Sequence, residues 1–154
     1  MLEPLVMTLS LVSAVTTAML AGLYFIFHNT VMPVFKEKEG ALVMQRINDV
    51  IINKQFLLIF VLSPLTSLGA MLLGLIDGQL STTDVALYGY ILAILAFMIT
   101  ATRNVPLNNE LKYASGDVSP IWKKYVQQWG SWNAKRYYLS LMSSLLVVGQ
   151  FVYH

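Results

Sequence analysis

Apolar positions dominate this chain in four long runs, and its charged positions fall between them. No charge stands between Glu3 and Lys36, between Lys54 and Asp77, between Asp84 and Arg103, or after Arg136. A helix crosses a bilayer with about 20 predominantly apolar residues. These runs therefore predict spans near residues 5–29, 56–76, 85–102 and 136–153, the last two extended by flanking polar residues. The predicted fold is all-α: an integral membrane four-helix bundle with cytoplasmic helical extensions, one domain over residues 1–154.

Finer patterns lie within and between the runs. Ser10, Ala14, Ala18 and Gly22 recur every four residues, a small-residue ridge that lets another helix approach closely. Ala70 and Gly74 repeat the spacing in the second span, where Pro64 predicts a kink. Packing within one bundle accounts for both ridges, and a homo-oligomer stays open. Val43, Ile47, Val50 and Ile51 fall at helical spacing opposite Gln45, Arg46, Asn48 and Asp49, which predicts a short amphipathic interfacial helix within 39–54. Pro106 in Asn104-Val105-Pro106-Leu107-Asn108-Asn109 is expected to break the third helix. That segment reads either as a capped helix end or as a rigid corner that points amides into a pocket.

Ser119-Pro120 is an N-cap with proline at the first helical position, and no proline follows. One helix of about 34 residues at about 1.5 Å each would reach about 51 Å, against a core of about 30 Å. It should project well into the cytoplasm.

Composition strengthens the membrane reading. Apolar residues make up 56% and charged residues 12%, with mean hydropathy +0.63, too few charges to cover a water-facing surface. All ten basic residues lie in two connections: Lys36, Lys38, Arg46 and Lys54, then Arg103, Lys112, Lys123, Lys124, Lys135 and Arg136. The positive-inside rule makes both connections cytoplasmic and both termini outside, periplasmic in a bacterium. Met1-Leu2-Glu3-Pro4 lacks the basic start of a secretory signal, so the first span is expected to stay in the mature chain.

The candidate chemistry gathers at the basic end. The absence of Cys excludes disulfides and thiolate chemistry, and two imidazoles, His28 and His154, are too few for a three-His metal site. A net charge of +2 does not suggest nucleic acid. The expected partners are the membrane itself and a hydrophobic small molecule or lipid. All seven Asn residues and all three Trp residues lie toward the cytoplasmic side. Trp122, Trp129, Asn133 and Arg136 follow at separations of seven, four and three, so they share one helical face. An interfacial aromatic belt with snorkelling cations explains a Trp there. It does not explain Asn133, whose amide beside the membrane must be hydrogen-bonded. Arg136 reads equally as an anchor for a lipid phosphate. No cofactor is predicted. Haem held by His28 as its one imidazole ligand stays open, with Met32 near, but a His28–His154 pair is excluded because the two stand at opposite faces.

In order along the chain, Ala21-Gly22-Leu23-Tyr24-Phe25, Val31-Met32-Pro33, Met44-Gln45-Arg46-Ile47-Asn48, Asn104-Val105-Pro106-Leu107-Asn108 and Trp129 through Trp132-Asn133 to Arg136 resemble the anthrone oxygenase-like family of four-span membrane proteins. Two positions depart from its pattern: His28 stands where small residues such as Ser are common, and Ala134 where His is frequent. The resemblance implies oxidation of a flat tricyclic anthrone to an anthraquinone with molecular oxygen. An anthrone has an acidic carbon opposite its carbonyl. Its enolate is electron-rich enough to reduce oxygen, and the resulting hydroperoxide loses water to give the quinone. Such a site needs a base, donors for the enolate oxygen and an apolar slot. His28, Asn133 and Arg136 are the candidate catalytic residues, with His28 as base. Asn48, Asn104 and Asn108 are candidate donors to substrate, and Trp129 and Trp132 candidate walls.

Two other classes compete. A membrane module binding a lipid, quinone or haem, or an accessory subunit, would use the same cluster without turnover. A proton-coupled exporter needs an ionisable group inside the membrane, and the central part of each span has none. No polar stripe through the spans is expected, which disfavours a pore.

Overall fold

The structure is a computed structural model that describes residues 2–35 and 40–153. Lys36, Lys38 and His154 lie outside the described residues, as does residue 39 of the expected amphipathic helix. The described chain is all-helical. Helix α1 (Glu3–Ile26) runs through a π-helical turn (Phe27–Val31) into one last turn (Met32–Val34). Helices α2 (Gly40–Val50) and α3 (Lys54–Ile76) follow. Helix α4 (Val85–Ile99) passes through a second π turn (Thr100–Asn104) into α5 (Val105–Lys112), and α6 (Ser119–Tyr153) closes the fold.

Prolines govern the two π turns. Pro106 does not end the third span: the helix continues to Lys112. A proline inside an α-helix lacks an N–H and presses its ring against the carbonyl four residues back. For Pro33 and Pro106 those positions are Asn29 and Thr102, and each lies within a π turn. The wider turn carries the carbonyl clear, so the helix bends its register instead of stopping. Helix α3 likewise runs unbroken through Pro64. Its start is set by Asn53, whose side chain accepts from the Phe56 N–H at 3.0 Å. Its end is set by Gly78 at φ +71°, a left-handed cap that returns the Gln79 and Leu80 N–H groups to the Gly74 carbonyl.

The four long helices pack in a ring, α1 beside α3 and α6, and α4 beside α3 and α6, with the α3–α4 seam the sparsest. The buried face of α1 carries Ser10, Ser13, Ala14, Thr17, Leu20, Ala21 and Tyr24, while Ala18 and Gly22 are exposed. The expected four-residue ridge thus holds only over its first two members. Four residues turn a helix about 400°, so a strict ridge drifts off a straight contact and a three-and-four alternation replaces it. Ala70 and Gly74 are buried as expected.

A polar stripe does run inside the bundle, contrary to the sequence expectation. Ser13 and Ser67 share a hydrogen bond at 2.7 Å, Thr17 and Ser63 another at 2.7 Å, and Ser143 donates to the Gly89 carbonyl at 2.7 Å. These hydroxyls are satisfied by each other and by helix carbonyls, so they join helices in an apolar setting. Leu2 N–H donates to Asp77 at 3.2 Å, and a cleft of about 350 Å³ lies between Gln79–Ala86 and Gly149–Gln150. The start of α1, the α3–α4 turn and the end of α6 therefore share one end, opposite the basic connections.

Among the described residues, Glu3–Val34, Lys54–Ile76 and Val85–Lys112 are long and apolar enough to cross a membrane. Helix α6 is longer than any of them at 35 residues but is not among them. Its apolar half is diluted by Ser140, Ser143, Ser144 and Gln150.

Helix α2 turns a different face inward than its pattern suggested. Ala41, Met44 and Asn48 are buried, whereas Val43 and Val50 are exposed. Asn48 is drawn into an aromatic cluster, Ile47 and Ile51 pack against its edge, and Val43 and Val50 are left outward. Gln45 fixes this orientation by donating to the Leu111 carbonyl at 2.8 Å, and Asp49 pairs with Lys112 at 2.8 Å.

Candidate functional site

The α6 stretch from Trp129 to Arg136 lies against both π turns. At the first, the Phe27 N–H is shared between the Leu23 and Tyr24 carbonyls, and the Tyr24 carbonyl also accepts from the Asn133 amide at 2.9 Å. At the second, Asn104 donates its amide to the Trp129 carbonyl at 3.3 Å. Loosened helix turns offer backbone and side-chain groups that a regular helix would keep to itself. Asn133 and Asn104 are both fully buried.

Arg136 is the centre of this arrangement. It is 6% exposed, and its Nε and one terminal nitrogen donate to the single Asn133 oxygen at 3.1 and 2.9 Å. The other terminal nitrogen donates to the Thr100 hydroxyl at 3.4 Å, which in turn donates to the Ala96 carbonyl at 3.0 Å. The guanidinium carbon lies 4.1 Å from the Tyr24 ring centre and 4.9 Å from that of Trp129. Among the described residues no carboxylate pairs with it. A buried cation without a counter-ion is expensive, and π faces with one carboxamide oxygen offset only part of that cost. The result is a positive donor fixed in a low-dielectric interior, the arrangement that stabilises an arriving or developing anion.

Beyond Arg136, toward the basic end, Trp122, Tyr125 and Trp129 form a stacked ladder with centroids 5.5 Å apart and planes within 17° at each step. Phe27 meets Trp129 edge-on at 5.6 Å. The Tyr125 hydroxyl donates to Asn108 at 2.9 Å, with the Asn48 side chain bearing on the same hydroxyl. Burial pushes that phenol well above its ordinary value, so it stays protonated. Among the described residues, two buried polar atoms of the layer around Arg136 lack a partner: Asn104 Oδ1 and the Trp129 indole N–H. Orphans this dense in one layer are unusual in a settled core.

The structure thus joins Asn104, Trp129, Asn133 and Arg136 directly, and places Asn48 and Asn108 together at Tyr125 in the adjoining layer. Two predicted residues stand apart. Trp132 is half-buried between two cations, Lys135 at 3.8 Å and Arg103 at 5.1 Å from its ring. His28 is exposed and lies beside Tyr137 and Tyr138, with centroids 6.2 and 6.5 Å away. Sequence reasoning gave Tyr24 no role beyond its place in the family resemblance, and passed over Thr100 and Tyr125. Tyr125 had a signal, since it stands three and four residues from the flanking tryptophans. Thr100 had none, because its role depends on the π turn.

The family model for anthrone oxygenase matches residues 50–146. The chain belongs to the anthrone oxygenase family. No curated protein and no solved structure matches the chain. The matched stretch holds Asn104, Trp129, Asn133 and Arg136, and ends before the last turns of α6. Tyr24, His28 and Asn48 precede it. At the level of the family the assignment is a membrane oxygenase-like protein.

Proposed function

We propose that this protein oxidises a flat hydrophobic aromatic of the anthrone type with molecular oxygen, at the cytoplasmic-side cluster around Arg136. The observation that carries the reading is the uncompensated guanidinium held by Asn133 between Tyr24 and Trp129. Loss of a proton from the acidic carbon leaves an enolate whose oxygen Arg136 would bind. That enolate carbon bonds to oxygen, which accepts two electrons and a proton to become a hydroperoxide. Loss of water then leaves the quinone carbonyl, so each anthrone consumes one oxygen and releases one water. The orphaned Trp129 N–H is a second donor beside the same rings. The sequence assigns the base to His28, which stands outside the cluster at the level of Tyr137 and Tyr138. A substrate reaching it would have to extend from Arg136 toward that flank.

One observation favours a second reading, in which a quinone or related carbonyl compound is bound without turnover. The described contacts of Arg136 include neither a carboxylate nor an imidazole. One assay separates the two. Purified protein in lipid nanodiscs is given a hydroxylated anthrone, and oxygen uptake is followed with quinone absorbance. The oxygenase reading expects stoichiometric uptake that falls about 10²–10³-fold in Arg136→Gln, as for loss of one oxyanion donor. Uptake unchanged in that variant overturns it. No uptake, with a quinone recovered by solvent extraction, establishes the binding module instead.

A further inference from the structure

A void of about 10 Å³ lies one helical turn from Arg136, toward the middle of the bundle. It is floored by Leu20, Tyr24 and Ser140 and walled by Ala93, Ala96 and Pro64. Tyr24 belongs to both places: it lines the void, and its ring lies 4.1 Å from the guanidinium carbon. Ser140 follows Arg136 by four residues and therefore stands on the same face of α6. Toward lipid the void is closed by Phe60 and Phe97, whose ring centroids are 5.0 Å apart. Both are half-buried, and they meet at the α3–α4 seam, the loosest contact of the ring.

We infer that this void is a binding site for dioxygen, entered from the lipid between Phe60 and Phe97. The inference rests on the oxygenase reading and adds to it the place where the gas waits. A void of this size admits one water-sized molecule, and dioxygen is little larger. Water is the natural rival, but an ordered water needs two to four polar partners. Of the three hydroxyl residues in the lining, Tyr24, Ser63 and Ser140, Ser63 is already bonded to Thr17 at 2.7 Å, and the lining surface is predominantly apolar. The rest of the lining is aliphatic, aromatic or alanine. Dioxygen is apolar and dissolves better in hydrocarbon than in water, so the membrane interior is its reservoir. A seam closed by two side chains, rather than by backbone, is a short path from that reservoir to the guanidinium.

The test is a measurement on the intact protein in nanodiscs that needs no turnover. Methyl signals are recorded under nitrogen and under raised oxygen pressure, and paramagnetic relaxation is compared between equally buried alanines. Ala93 and Ala96 should relax several-fold faster than Ala86 of the same helix and Ala70 of α3, both buried away from the void. Ala93→Ile should remove the excess at Ala96 and Leu20 and raise the KM for oxygen several-fold more than the KM for the aromatic substrate. If that variant does not fold, Ala96→Val fills the same space more gently. Equal relaxation at all four alanines overturns the site, whatever the turnover assay gives. Excess relaxation at Ala93 and Ala96 without any oxygen-consuming turnover leaves the gas site standing and removes the oxygenase reading, so the two failures are distinct.

Discussion

Replacing Asn133 by Ala removes more than one bond. Its amide supports the Tyr24 carbonyl at 2.9 Å, and its oxygen takes both Nε and a terminal nitrogen of Arg136 at 3.1 and 2.9 Å. After truncation the guanidinium keeps only the longer contact to Thr100 at 3.4 Å and the two aromatic faces. Hydrogen bonds to a charged group are worth about 1.5–3 kcal/mol each. Here both share one acceptor oxygen, so about 2–3 kcal/mol for the two together is the reasonable figure. The interhelical amide–carbonyl bond adds about 0.6 kcal/mol, the average found within membranes. The expected loss is about 3 kcal/mol, read as the shift in unfolding when the denaturing detergent fraction of mixed micelles is raised. Asn133→Asp is the discriminating partner. It restores an acceptor for Arg136 and loses only the amide donor, so most of the stability should return. Its carboxylate neutralises the guanidinium, so turnover should be lost even though stability returns. A loss under about 1 kcal/mol in Asn133→Ala, or an Asp variant less stable than the Ala variant, refutes the account of Arg136 as a cation anchored by one carboxamide.

Other outcomes follow from local geometry. A Cβ at Gly89 would lie 2.7 Å from Val147 and 3.1 Å from the Ser143 carbonyl. Gly89→Ala should therefore destabilise the α4–α6 contact by about 1–3 kcal/mol, whereas Gly130→Ala, which meets nothing within 4 Å, should gain up to about 1 kcal/mol of helix propensity. The same detergent titration reads both. The Asp49–Lys112 pair holds the Asp49 carboxyl below its ordinary 3.8 and the Lys112 ammonium above its ordinary 10.5. A depressed carboxyl contributes above its unfolded value and loses that contribution as pH falls through its folded value. The raised ammonium contributes fully below its unfolded value and loses it as pH rises through the folded one. Protection factors of α2 amides, with the intrinsic exchange rate divided out, should thus be highest between those limits and fall on acidification below 3.8. Asp49→Asn should abolish the acid limb, and added salt should weaken it.

The sequence alone determined the helical class, the apolar runs and the grouping of amides, indoles and basic residues at one end. Each is a matter of one-dimensional spacing: hydropathy runs set span length, and the spacing of Trp129, Asn133 and Arg136 sets a shared face whatever the fold. The membership of Asn133 in a buried hydrogen-bond centre was legible for the same reason, since an amide there has to find a partner.

Only the tertiary structure decided who the partners are. Pro106 reads as a helix end, because sequence shows the missing N–H but not the widened turn that relieves the clash. Those π turns present the Tyr24 carbonyl to Asn133 and the Thr100 hydroxyl to Arg136, and neither role has a local signature. The inward turn of Asn48 depends on Gln45 and Asp49 gripping the end of α5, a contact across sixty residues and more of chain. His28 went the other way: its position in α1 is fixed, but rotation about the helix axis carried it past the cluster to the flank of Tyr137. Spacing defines faces, and packing alone chooses which face turns inward, because burial is a property of what lies opposite.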